Sequence, residues 1–194
     1  MSPRPRATAD AQLIEATTRA ISRVGPARLT LADVAREAGV VPATLVQRFG
    51  SKRGLLLALA RQGAGGVDEC FRQARARHRS PLAAALAAMT SMADHVESPQ
   101  ALSNHLAFLQ IDLTDPDFYR LTLEHARATQ AGLRKLLDEA VRAGELRRSD
   151  TRRLARAIQA MVGGSMVAWA ILREGSLKPW MRRDLKTLLE RWRK

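Results

Sequence analysis

The chain has 194 residues, 46% of them hydrophobic and 26% charged, with a formal net charge of +13. That length and apolar content suit one or two globular domains with a buried core, and the excess of base points to a polyanionic partner. No apolar run approaches the roughly 18 residues needed to cross a membrane, and among polyanions nucleic acid is expected as the partner rather than an acidic membrane surface. Cys70 is the only cysteine, which excludes an intrachain disulfide and makes a cytoplasmic location the simplest reading. The opening MSPRPRATAD carries arginines with no apolar stretch behind them, so it does not read as a secretory signal. Residues 1–55 hold nine Lys or Arg against four acids. The basic residues further on read as solvated helix faces.

Residues 1–8 read as an unstructured arm. Arg4 and Arg6 in it either reach a minor groove or do nothing. A first helix is predicted from about Ala9 to Val24, with Leu13, Thr17, Ala20, Ile21 and Val24 on its buried face and Gly25-Pro26 ending it. Thr30 then stands as an N-cap, with Asp33 placed at the positive end of the next helix. Leu31, Val34, Ala35 and Ala38 form its apolar face, and Gly39 stops it. Pro42 restarts the chain at a position where its missing N–H is not needed. Leu45 and Phe49 point this second short helix inward. A small Ala35, Gly39 four residues later and Leu45 six after that is the spacing of a helix-turn-helix. The alanine allows close approach, the glycine makes the bend and the leucine seals the corner.

This stretch resembles the DNA-binding segment of the TetR family of bacterial transcription regulators. The residues that carry the resemblance are Thr30 through Ala38 (TLADVAREA), Gly39-Val40, Thr44-Leu45, Phe49, Ser51-Lys52 and Leu55-Leu56-Leu57. It extends over roughly residues 10 to 60; beyond them only helix order and length match. The family commonly has Ser or Thr at the position of Val41, Tyr at Val46, and His or Tyr at Arg48. Val46 lacks the phenolic hydroxyl that family members place on a phosphate, and Arg48 offers a charge instead.

Ser51 is expected to cap a third helix of the motif region, about Lys52 to Gly63, with Gly63, Gly65 and Gly66 acting as a flexible joint after it. Downstream everything reads helical, with no period-2 stretch to suggest a sheet. Helices are predicted over about Val67–His78, from Ser80-Pro81 onward, from Ser98-Pro99 to about Ile111, and over about Pro116–Ala143. Ser149-Asp150 caps another that ends at Gly175, and Lys178-Pro179 starts the last. The fold class is all-α. A helix-turn-helix DNA-binding domain is expected over residues 1–55 and a ligand-binding and dimerisation domain over 56–194.

The outward residues of the recognition helix are Val41, Ala43, Thr44, Gln47 and Arg48. Gln47 suits adenine, Arg48 guanine or a phosphate, and the Thr44 methyl a thymine methyl. Arg28, Thr30 and Lys52 are placed as phosphate clamps. A pocket for a small apolar or amphipathic effector is expected among Met89, Met92, His105, Phe108, Leu109, Phe118, Leu121, His125 and Met161, although each taken singly also reads as ordinary core. By resemblance, the last two helices pair with those of a second subunit, and the interface is assigned to Val162, Gly163, Met166, Trp169, Met181, Leu185 and Leu188. Gly163-Gly164 would equally allow close packing inside one subunit. The expected partners are therefore a double-stranded operator, a small-molecule effector and a second copy of the chain, with no cofactor and no metal. The sequence holds no nucleophile elbow, zinc-protease motif, paired cysteine ligands or P-loop, so an enzyme is not expected. A nonspecific binder of nucleic acid or of a membrane surface, acting by charge alone, is the remaining alternative.

Overall fold

The computed structural model describes residues 6–193, with side chains from Asp10 onward. The arm carrying Arg4 and the side chain of Arg6 lie outside the described residues. Nine α-helices and no strand occur among the described residues: α1 (Arg6–Arg28), α2 (Leu31–Ala38), α3 (Pro42–Phe49), α4 (Lys52–Arg77), α5 (Pro81–Thr90), α6 (Pro99–Thr114), α7 (Pro116–Arg142), α8 (Thr151–Leu172) and α9 (Leu177–Glu190). A short 3-10 turn, Ser91–Ala93, follows α5.

Local chemistry sets most of the boundaries. Thr30 and Asp33 form a reciprocal capping box: the Asp33 amide donates to Thr30 Oγ1 at 3.1 Å and the Thr30 amide to Asp33 Oδ2 at 3.0 Å. Gly39 closes α2 in the left-handed region at φ 67°. Pro42 occupies the first turn of α3, whose cap residue Val41 makes no side-chain bond. Ser51 Oγ accepts from the Gly54 amide at 3.0 Å, Ser80 caps α5 and Asp150 caps α8. The helix α8 ends at Arg173 (φ 57°), before Gly175 is reached.

Backbone contacts group the chain into two units, one of residues up to Gly63 with Gln100–Thr122, the other of Ala64–Pro99 with Leu123 onward. The core of the first gathers Leu13, Ala20 and Ile21 of α1, Val34 and Ala35 of α2, Leu45 of α3, Leu55, Leu56 and Leu57 of α4, and Phe118 and Leu121 of α7. Asn104 of α6 is buried there and donates through Nδ2 to the Ser22 carbonyl at 2.8 Å. Its Oδ1 lies 2.8 Å from where a β-carbon on Gly25 would stand, so the α1 break at Gly25 (φ 75°, ψ 160°) admits no side chain. In the second unit Leu133, Leu137, Ile158, Met181, Leu185 and Leu189 are fully buried, and α9 packs on α8 and α5.

Two expectations are corrected. Gly63, Gly65 and Gly66 form no joint, because α4 runs through them unbroken to Arg77. Ala64 between them and Val67, Phe71 and Ala74 after them keep one buried stripe at helical spacing, and that burial outweighs the weak helix propensity of glycine. The second concerns apolar length: α8, 22 residues with mean hydropathy 1.3 over an 18-residue window, is long and apolar enough to cross a membrane by length and composition. Small Ala, Gly and Ser residues between the aliphatic ones hide this in a residue-by-residue reading. The helix carries the stripe of a bundle helix, with Leu154, Ile158, Val162 and Trp169 buried and Ser165 Oγ donating to Asp184.

Candidate nucleic-acid interface

The helix-turn-helix is built from α2 and α3. Ala35, 1% exposed, lets the two helices approach, and Leu45, fully buried, fills the corner between them. The Gly39 turn sets their crossing, and the Val40 amide closes it by donating to the Ala35 carbonyl at 2.9 Å. With Leu45 inward, the opposite face of α3 is left in solvent. Val41 is 64% and Val46 48% exposed, and Ala43, Gln47 and Arg48 are exposed beside them; Thr44 is half-buried. An eight-residue helix standing proud of its domain on one face is the shape that enters a major groove.

The cations assigned to DNA are already held by the protein. Arg48 Nη1 is paired with Asp10 of α1. Lys52 Nζ donates to the Ala27 carbonyl at 3.3 Å, and Arg28 Nε to the Val24 carbonyl at 3.2 Å. Thr30, exposed, spends its hydroxyl on Asp33. Thr30, through its side chain first and its amide second, holds the Asp33 carboxyl below its ordinary range. Arg19, then Arg23, does the same for Glu37, which ties α2 to α1 at 2.9 Å from each.

A further anchor lies at the start of α4. Arg53 Nη2 donates to both oxygens of Asp115 at 2.9 Å and to Asp117 Oδ2 at 2.8 Å, with its guanidinium 5.6 Å from the centre of the Phe118 ring. Arg53 depresses the Asp115 carboxyl, and Asp117 with Asp115 raises the guanidinium in turn. Neither this clamp nor the Asp10–Arg48 pair is legible from the sequence, since the partners stand 62 and 38 residues apart with no periodicity joining them.

The residues assigned to an effector divide between the units. His105, Phe108, Leu109, Phe118 and Leu121 belong to the first, and Met89, Met92, His125 and Met161 to the second. Phe118 and Leu121 are packed into the first unit's core, where Phe118 meets Phe108 edge-on at 5.9 Å, and Met89 is 1% exposed. His105 Nε2 lies 3.1 Å from Ser22 Oγ. Met92 and Leu109 are exposed; His125 and Met161 are half-buried. Of the residues assigned to the dimer, Val162, Trp169, Met181 and Leu185 are interior residues of their own subunit, whereas Gly163 is exposed and Met166 and Leu188 half-buried. Outside them α8 exposes Val167, Ile171 (73%) and Leu172 (55%).

Comparison with known proteins places these features. The family model for bacterial regulatory proteins of the tetR family matches residues 13–59, the span that holds the helix-turn-helix. The HTH-type transcriptional regulator BetI 2 of Chromohalobacter salexigens is 31% identical over 169 residues, covering 84% of this chain and 78% of that protein. A TetR transcription regulator from Haloarcula marismortui superposes with a TM-score of 0.78 at 15% identity, over 97% of this chain and all of that one. A transcriptional regulator from Saccharomonospora viridis, solved in complex with choline, gives 0.72 at 20% identity over 97% and 99% of the two chains. The fold, the motif and the level of identity agree, and the chain belongs to the TetR family of DNA-binding transcriptional regulators.

Proposed function

We propose that the chain acts in the cytoplasm as a homodimeric repressor that grips a palindromic operator and releases it when a small apolar or amphipathic effector binds. The observation that carries this reading is the solvent-facing surface of α3, where Val41, Ala43, Gln47 and Arg48 stand exposed over a sealed Leu45. In this assignment residues 1–55 bind DNA and 56–194 sense and dimerise. Gln47 and Thr44 read base edges, and Lys52 and Arg28 exchange their backbone carbonyls for phosphates. One such helix spans only a few base pairs, which favours two copies on two half-sites.

A second copy is supported by α8. Among the described residues nothing outside the helix's own backbone lies within 4 Å of a β-carbon on Gly163 or Gly164, and Val167, Ile171 and Leu172 leave an apolar face in solvent. These observations support an interface on Gly163, Gly164, Val167, Ile171 and Leu172, with Met166 and Leu188 at its margin. For the effector, Met92, His125 and Met161 of the second unit retain accessible surface and are the first side chains to test there; His105, Phe108 and Leu109 of the first unit are tested separately. The second unit also carries a groove of about 520 Å³ lined by Phe71 and Leu136 and by charged side chains that include Arg72, Arg75, Lys135 and Glu139. Choline, bound by the Saccharomonospora viridis neighbour, is the first compound to assay. An effector releases DNA only if it prefers the arrangement that cannot bind it.

The test is oligomeric state against DNA occupancy. Ile171→Glu is expected to convert a dimer to a monomer by light scattering, with helicity unchanged and operator affinity down at least tenfold. A variant that stays dimeric, or a wild-type protein that is monomeric when bound to DNA, refutes the assembly. A nonspecific binder would show equal affinity for every duplex and no change in preference in Gln47→Ala.

A further inference from the structure

We infer that Asp10 is a specificity-determining residue: it positions Arg48 so that the guanidinium presents one donor edge to a guanine instead of swinging to the nearest phosphate. This rests on α3 being the DNA-reading helix.

The four acids in residues 1–55 are all engaged, and three make their contacts within and between α1 and α2. Asp33 completes the Thr30 capping box, Glu37 ties α2 to Arg19 and Arg23, and Glu15 pairs with Arg19 one turn on. Asp10 alone is spent on the recognition helix, reaching from α1 to Arg48 across 38 residues of chain. Stability does not account for it. The two side chains are 42% and 31% exposed, and a pair so open to water contributes little to folding. An acid on a surface that meets DNA also repels the phosphates, so its presence there weakens general affinity.

The chemistry of the contact supplies the reason. Among the described residues Asp10 Oδ1 takes one donor, Nη1 of Arg48. The Nε–Nη2 edge is engaged by nothing else among the described residues. That edge carries two parallel N–H groups, the fork that matches the N7 and O6 of guanine. An arginine on an unrestrained stem spends its charge on any phosphate in reach. An arginine held at one nitrogen keeps its other edge in a fixed direction, and pays less ordering entropy when a guanine meets it. The neighbouring Gln47 is exposed, has no hydrogen-bond partner among the described residues, and is the second side chain of the reader.

The experiment uses the full chain, a duplex that the wild-type protein selects from a random pool, and a scrambled duplex of the same length. Dissociation constants are measured for wild type, Asp10→Asn, Arg48→Ala and the double variant across a salt series. Asp10→Asn is expected to bind scrambled DNA two- to fivefold more tightly, with the salt slope steeper by about one phosphate contact. It is expected to lose about three- to tenfold in preference for the selected duplex, with that loss confined to one guanine of each half-site. In the Arg48→Ala background, Asp10→Asn should leave the preference unchanged. Asp10→Glu, which keeps the carboxylate, should recover part of it. Equal change toward both duplexes overturns the inference, since Asp10 would then act only as a charge; so does an undiminished effect in the Arg48→Ala background. If Arg48→Ala binds both duplexes like wild type, or wild type selects no sequence, the reading of α3 fails and takes the inference with it.

Discussion

Replacing Gly63, Gly65 and Gly66 together by alanine should stabilise the protein. All three lie inside α4, none has a positive φ, and a β-carbon at each would meet nothing within 4 Å. In an open helical position alanine is favoured over glycine by about 0.8–1.0 kcal/mol, partly because the unfolded chain has less freedom to lose. Three positions give about 2–3 kcal/mol, reduced slightly if the adjacent pair is not additive. For a chain of this size each kcal/mol moves the melting temperature by roughly 2–4 °C, so a rise of roughly 5–10 °C is expected. The assay is thermal and urea unfolding followed by circular dichroism at one fixed protein concentration, because dimerisation would make the midpoint depend on concentration. A joint at these glycines would need conformations that alanine resists. A fall in stability, or no change, would refute the account of α4 as one continuous helix.

Three further outcomes follow from the same structure. Leu45→Ala empties the sealed corner between α2 and α3 and should cost about 2–5 kcal/mol, measured by urea unfolding, with DNA binding lost in parallel; a cost below 1 kcal/mol would contradict the packing. Lys52→Ala should weaken binding to every duplex alike and lower the salt slope by about one, and a loss confined to one base pair would contradict its phosphate role. The carboxyls of Asp33, Glu37 and Asp115 are all depressed in the folded state. Their contribution is therefore complete above the ordinary carboxylate range, roughly pH 4 to 4.5, and is lost as pH falls through the lower folded values. Stability should drop on acidification below that range, and Asp33→Asn should flatten the drop; an identical acid limb in the variant would remove Asp33 from the account.

What the sequence discloses and what it hides divide along the range of the interactions. The helix-turn-helix is legible because its determinants are local: the Thr30–Asp33 box, the Gly39 bend and the Pro42 restart each act within a few residues. Gly63, Gly65 and Gly66 mislead for the complementary reason. Propensity is a local signal, but α4 is held by a buried stripe whose partners are distant in sequence. The residues assigned to a dimer from sequence show a different ambiguity. The helix α8 is apolar on two faces, and a stripe read from spacing does not say which face meets its own subunit. The structure gives Val162 and Trp169 to the interior and leaves Gly163, Val167 and Ile171 outside. Phe118 and Leu121 were readable as apolar, and their place in the core depends on α1, α2 and α4 converging on them. The Arg53 clamp and the Asp10–Arg48 pair join charges that no pattern relates.

The central claim is that a dimer of this chain reads a defined operator through α3. Selection of bound duplexes from a random pool at physiological salt tests this. One enriched motif is expected, palindromic, with two half-sites spaced to suit one turn of DNA or more. Gln47→Ala should relax a single position in each half. Recovery of sequences no different from the starting pool, across salt concentrations and with and without choline, would contradict it and leave a protein that binds DNA by charge alone.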